Sequence, residues 1–89
     1  QLIKTIVLSE VSRGGQVYIV DNSVNNVKNM CGLISSLFPE FSISFLHGSL
    51  DKKTINNIMS LFRLKKINVL VHYLNKLSEL NIDIKVVKY

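Results

Sequence analysis

Three short runs in this 89-residue chain hold side chains able to bind or react: Asp21-Asn22-Ser23, His47-Gly48-Ser49 and His72-Tyr73-Leu74. Each closes an apolar stretch: QVYIV, SISFL and INVLV respectively. Such stretches, short and rich in β-branched and aromatic residues, read as buried strands. Turn amides, Ser and Asn side chains and helix N-termini all donate hydrogen bonds, and phosphate oxygens accept them. The first two runs therefore suit a phosphate chain better than bond-breaking chemistry. Asp21 and His47 could meet as an acid–base pair, but no nucleophile accompanies them. His47 also reads as a plain turn residue, and His72 as a structural residue at a strand's end. Two well-separated histidines form no metal-binding constellation.

The elements that hold these runs alternate in period. LIKTIVLSEVSR places Ile3, Ile6, Val7 and Val11 on one helical face. Gly14-Gly15 stops that helix, because glycine takes the left-handed cap conformation without a Cβ clash. A phosphate loop would follow a strand, whereas this glycine pair precedes one. Asp21, Asn22 or Ser23 caps the next helix. Its stripe is Val24, Val27, Met30, Cys31, Ile34, Leu37 and Phe38, and Pro39 ends it. On that stripe Cys31 reads as a buried, inert thiol.

Asp51 or Ser49 opens a third helix. Ile55, Ile58, Met59 and Phe62 face inward, and Lys52, Lys53, Asn56, Asn57 and Arg63 face water. Lys65 and Lys66 suit its negative C-terminal end. YLNKLSEL reads as a short fourth helix and IDIKVV as a fourth strand. Alternation of this kind predicts an α/β fold, a three-layer parallel sheet with helices on both faces, as one domain over residues 1–89. Ligands of such sheets bind beyond the carboxyl ends of the strands, which is where the three runs fall.

Bulk composition narrows the partners. No run approaches the length of a membrane span, so no membrane association is expected. The start lacks a basic segment and a cleavage site, so no signal peptide is expected. One cysteine forms no intrachain disulfide, and a reduced, cytoplasmic setting fits. The net charge of +5 lies wholly in residues 51–89, with eight basic and three acidic residues there. A basic half suits a polyanion. Abundant Lys, Asn and Ile also match AT-rich codons, and a solvated lysine face is the plainer account of the same charge.

The stretch SRGGQVYIVDNSVNNVKNMCGLISSLFPEFSISFLHGSLDKKTINNIMSLFRLKKINVLV resembles the second RecA-like motor domain of bacterial transcription-repair coupling factors. RGGQVY, the F-P-E before the second strand, the His-Gly turn and F-x(5)-NVLV carry the likeness. The resemblance implies part of a RecA-like helicase domain from an ATP-dependent DNA translocase acting in transcription-coupled repair. It implies contact with the backbone of double-stranded DNA by Asn22, Ser23, His47, Gly48 and Ser49; Lys52, next to the His-Gly turn, is a candidate for the same backbone by its charge and position, against the solvated-face reading. A first motor domain and RNA polymerase would be partners of the whole protein.

The chain departs from that pattern after β-like NVLV. Tyr73 and Leu74 stand where the family has a Thr pair, and NKLSEL has neither Gly nor Thr. Asn81-Ile82-Asp83-Ile84 reads as the remnant of a Gly-Ile-Asp-Ile run, with Asp83 as the nucleotide-contacting acid. No G-x-x-x-x-G-K-[ST] occurs. The resemblance thus assigns ATP and magnesium to the intact family protein, with no cofactor and no catalytic residue in this piece, and no ATP hydrolysis by it alone. The alternative is a non-catalytic scaffold that binds a partner.

Overall fold

The computed structural model describes residues 2–74 and 82–87, with side chains at 3–74. Its elements run α1 (Leu2–Ser12), β1 (Gln16–Asp21), α2 (Val24–Leu37), β2 (Ile43–Leu46), α3 (Lys52–Arg63), β3 (Val69–Tyr73) and β4 (Ile82–Val87). The helix expected over YLNKLSEL falls mostly on residues 75–81, outside the described residues.

Boundaries follow local chemistry. Gly14 has φ +80°, and the amide of Gly15 donates to Glu10 O at 2.8 Å. That left-handed turn closes α1 as the glycine pair predicts. Ser23 caps α2, accepting from the Asn26 amide. Asp51, not Ser49, caps α3, accepting from the Thr54 amide. The C-terminus of α3 is less comfortable: Lys65 takes the left-handed region at φ 61°, where a side chain costs energy and glycine does not.

The sheet order is β2-β3-β1-β4. β3 pairs in parallel with both β1 and β2, so three strands run one way, as the alternating pattern requires. From β1 the chain passes β3's place to reach β2, then steps back to β3. Crossovers of one hand in opposite directions set their helices on opposite faces. Thus α1 and α2 cover one face, through Val7, Val27, Met30, Ile34 and Phe38 against Val17, Ile19, Val69 and Val71. On the other, Phe62 of α3 packs with Leu46, Ile67 and Leu70.

Two details differ from the sequence reading. β4 runs antiparallel to its neighbour β1, in the register Ile19↔Ile84. Only residues 74–81 connect β3 to β4, fewer than the dozen or so that a parallel crossover needs. Both edges of β3 are already occupied, so the returning strand takes the free edge of β1. Two members of the apolar stripe expected on α2 are also exposed rather than buried. They are Val24 and Leu37, the first and last residues of the helix, whereas Phe38 just beyond it is buried.

The amino end of the sheet is closed by a buried amide. Gln16 Nε2 donates to Phe62 O at 2.6 Å and to Ile67 O at 2.9 Å. One side chain thereby ties the start of β1 to the end of α3 and the entry to β3.

Candidate nucleic-acid interface

Because β1, β2 and β3 are parallel, their carboxyl ends and the turns that follow share one rim. Sheet order places the β3 end between the other two. The three runs singled out by sequence are therefore brought together.

After β1, Asp21 is fully buried and its Oδ1 accepts from the Ser23 amide at 3.0 Å. Ser23 Oγ in turn accepts from Asn26 N at 3.3 Å. These two bonds fold the turn directly into the first turn of α2. Asn22 and Ser23 are half-exposed at its tip. A capped helix still leaves other first-turn amides without helical partners, pointing outward with the positive end of the dipole.

After β2, the His47 ring is half-buried, its centroid 4.9 Å from that of Phe45. His47 Nδ1 and Ser49 Oγ share a hydrogen bond of 2.8 Å. The Leu50 amide donates to His47 O at 3.2 Å, which closes the turn and exposes Gly48 and Ser49. Asp51 then caps α3, and the bonds it accepts at Thr54 pull its carboxyl below the usual carboxylate range. Lys52 follows at the first helical position, exposed.

At the end of β3 the chemistry changes. His72 Nδ1 lies 2.6 Å from Tyr18 Oη. Burial of the imidazole lowers its pKa from 6.5, and the ring nitrogen and the phenol hydroxyl share this hydrogen bond. The Leu74 amide donates to Asp21 O at 3.0 Å and locks the β3 end to the β1 end. A cleft of about 330 Å³ opens there, lined by Gly48, Ser49, Tyr73 and Leu74.

This end does not fit a nucleotide phosphate. Tyr73 and Leu74 supply an aromatic and an apolar wall in place of hydroxyl donors; Asp21, the register partner of Tyr73, is fully buried, and its Oδ2 has no hydrogen-bond partner among the described residues. Asp83 pairs with Val20 in β4, and its side chain lies outside the described ones. Among the described residues no group of three metal-ligating side chains occurs. Sequence reasoning found the three turns but missed the Tyr18–His72 bond, which depends on the pairing of β1 with β3. It also missed the buried amide of Gln16, which nothing in QVYIV distinguishes from an exposed strand start.

A parallel three-stranded core with helices on both faces, its carboxyl-end turns capped into helices, defines a RecA-like α/β domain. The chain belongs to the helicase conserved C-terminal domain family, whose sequence pattern matches residues 1–88. It is 41% identical over 70 residues to a transcription-repair-coupling factor of Buchnera aphidicola (Acyrthosiphon pisum strain), covering 79% of this chain and 9% of that protein. It is 37% identical over 83 residues to the protein of that name from the Baizongia pistaciae strain, covering 93% of this chain and 12% of the relative. Against the Escherichia coli protein of that name it is 33% identical over 70 residues, 79% of this chain and 6% of the relative. The chain thus spans roughly a tenth or less of these relatives' length. No solved structure matches it.

Proposed function

We propose that this domain grips the sugar-phosphate backbone of double-stranded DNA, as the second motor half of an ATP-driven translocase in transcription-coupled repair. One observation carries the reading: two capped helix starts, α2 after Asp21-Asn22-Ser23 and α3 after His47-Gly48-Ser49, sit on a single rim. Asn22, Ser23 and Ser49 donate side-chain hydrogen bonds to phosphate, Gly48 lets the backbone approach closely, and Lys52 supplies charge. His47 is braced by Phe45 and Ser49 to hold its turn.

In the parent protein ATP and magnesium act between this domain and a preceding motor domain, in the cytoplasm, and RNA polymerase is met through other regions. Asp83 is the residue of this chain assigned to the nucleotide side. The match to transcription-repair-coupling factors of several bacteria supports this assignment of setting.

Duplex affinity measured against salt tests the reading. The logarithm of the binding constant should fall linearly with the logarithm of salt, by about 0.9 per neutralised phosphate. Lys52→Ala should flatten that slope by about 1. Binding that is absent, or indifferent to salt, favours the scaffold reading instead.

A further inference from the structure

The turn that closes α3 departs from local preference at adjacent positions. The Lys66 amide donates to Leu61 O at 2.9 Å and the Lys65 amide to Phe62 O at 3.0 Å. A helix that ends on these two bonds ordinarily has glycine in the left-handed position and an apolar residue after it, which packs back on the last turn. Here Lys65 takes the left-handed position, at φ 61°, and among the described residues no other non-glycine has a positive φ. Lys66 stands where the apolar residue belongs. Leu61, which that residue would cover, is 37% exposed, and Leu64, just before the turn, is 64% exposed. No large apolar side chain among the described residues is more exposed than Leu64.

Strained backbone of this kind concentrates at functional positions. Leu61 and Leu64 are neighbours on the helix surface, since residues three apart share a face. Arg63, Lys65 and Lys66, all exposed, flank them in the chain. No acidic residue occurs between Lys52 and Leu74 to neutralise these cations. Water solvates the cations well but leaves the two leucines uncovered at a cost. A phosphate chain would answer the cations alone. An acidic protein segment that carries apolar side chains of its own answers both.

From this juxtaposition we infer that the closing turn of α3 docks an acidic segment of a partner protein. Its carboxylates meet Arg63, Lys65 and Lys66, and its apolar residues cover Leu61 and Leu64. Glycine at residue 65 would relieve the backbone but remove one of the three charges. The site lies between α3 and β3, at the amino end of the sheet, and does not depend on duplex binding at the carboxyl rim.

The test uses fluorescence anisotropy with labelled synthetic peptides. One carries Leu and Glu at helical spacing, a second has Gln for every Glu, and a third has Ser for every Leu. The wild type should bind the first and bind each of the others about tenfold more weakly. Leu64→Ser, at an exposed position, should weaken the first peptide about tenfold and leave duplex affinity unchanged. Joint replacement of Arg63, Lys65 and Lys66 by Gln should weaken it by a similar factor. Amide shifts of the labelled wild type on adding the first peptide should centre on residues 61–66, a result that stands even if the triple variant fails to fold.

Failure of the wild type to bind the first peptide overturns the inference, as does equal binding of the Gln or Ser peptide. An affinity indifferent to Leu64→Ser, or shifts centred elsewhere, also overturns it. Displacement of the peptide by duplex DNA would make the patch a nucleic-acid surface instead. Leu64-dependent binding to phosphatidylglycerol vesicles, tighter than to the peptide, would make it a lipid-facing one.

Discussion

The two ends of the sheet use similar residues for opposite purposes. At the amino end, polar side chains are turned back onto the fold. Gln16 bonds two carbonyls from α3 and its following loop, and Asn68 Oδ1 accepts from the Ser42 amide at 2.7 Å. Glu10, nearly fully buried, is bonded to Arg13 at 2.7 Å and packs so close to Gly15 that an added Cβ would meet it at 3.2 Å. At the carboxyl end, the side chains of Asp21, Ser23 and Asp51 bond only the next few residues and leave the turn tips facing water. The Gln16 and Asn68 bonds of the first arrangement join elements far apart in sequence. The second shapes local turns into something another molecule can touch. Damage at the first end should cost stability, and damage at the second should cost binding.

The largest effect should come from Gln16→Ala. It removes two buried hydrogen bonds and side-chain volume, a loss of about 2–3 kcal/mol. For a domain this small, a thermal melt should fall by at least about 10 °C. The salt slope for DNA in the folded protein should not move, and a changed slope would break the division between the two ends.

Ser23→Ala should cost about 1 kcal/mol, as lost N-caps do. Unlike Gln16→Ala, it should also weaken duplex binding measured well below the melting temperature. A variant that melts earlier yet binds normally would reduce Ser23 to a cap alone. Lys65→Gly should act in the other direction. It relieves the left-handed strain at φ 61° and raises stability by about 0.5–1 kcal/mol, seen as a higher denaturant midpoint with an unchanged m-value.

The smallest effect is a pH dependence. His72 is half-buried and its folded pKa is lowered from 6.5 by burial. The unfolded chain then binds a proton that the native state refuses, so stability is full above about pH 6.5 and declines as the pH falls below it. His72→Phe should flatten melts between pH 7 and pH 5 relative to wild type. An unchanged pH profile would remove His72 from the account.

The contrast between the ends was half legible in the sequence. The carboxyl-end turns are written locally, as Asp-Asn-Ser and His-Gly-Ser after apolar strands, and local hydrogen bonds build them. The two-sided cover of the sheet also follows from strands and helices in alternation. The direction of β4 is not carried by IDIKVV itself, whose alternation serves either direction. It lay in the short connection at 74–81, which forbids a parallel return. The Gln16 bonds of the amino end were illegible because they span about fifty residues. Gln16 with Ile67, like Tyr18 with His72, meets only once β1 and β3 are in register.

Amide chemical shifts of the isotopically labelled protein, followed by NMR as duplex DNA is added, test the central claim most directly. The account predicts that the moving amides are those of residues 21–25 and 47–53, on the carboxyl rim, while those of residues 10–16 and 63–68 stay still. Shifts concentrated at the Gln16 end, or spread evenly along the lysine-bearing face of α3, would contradict it.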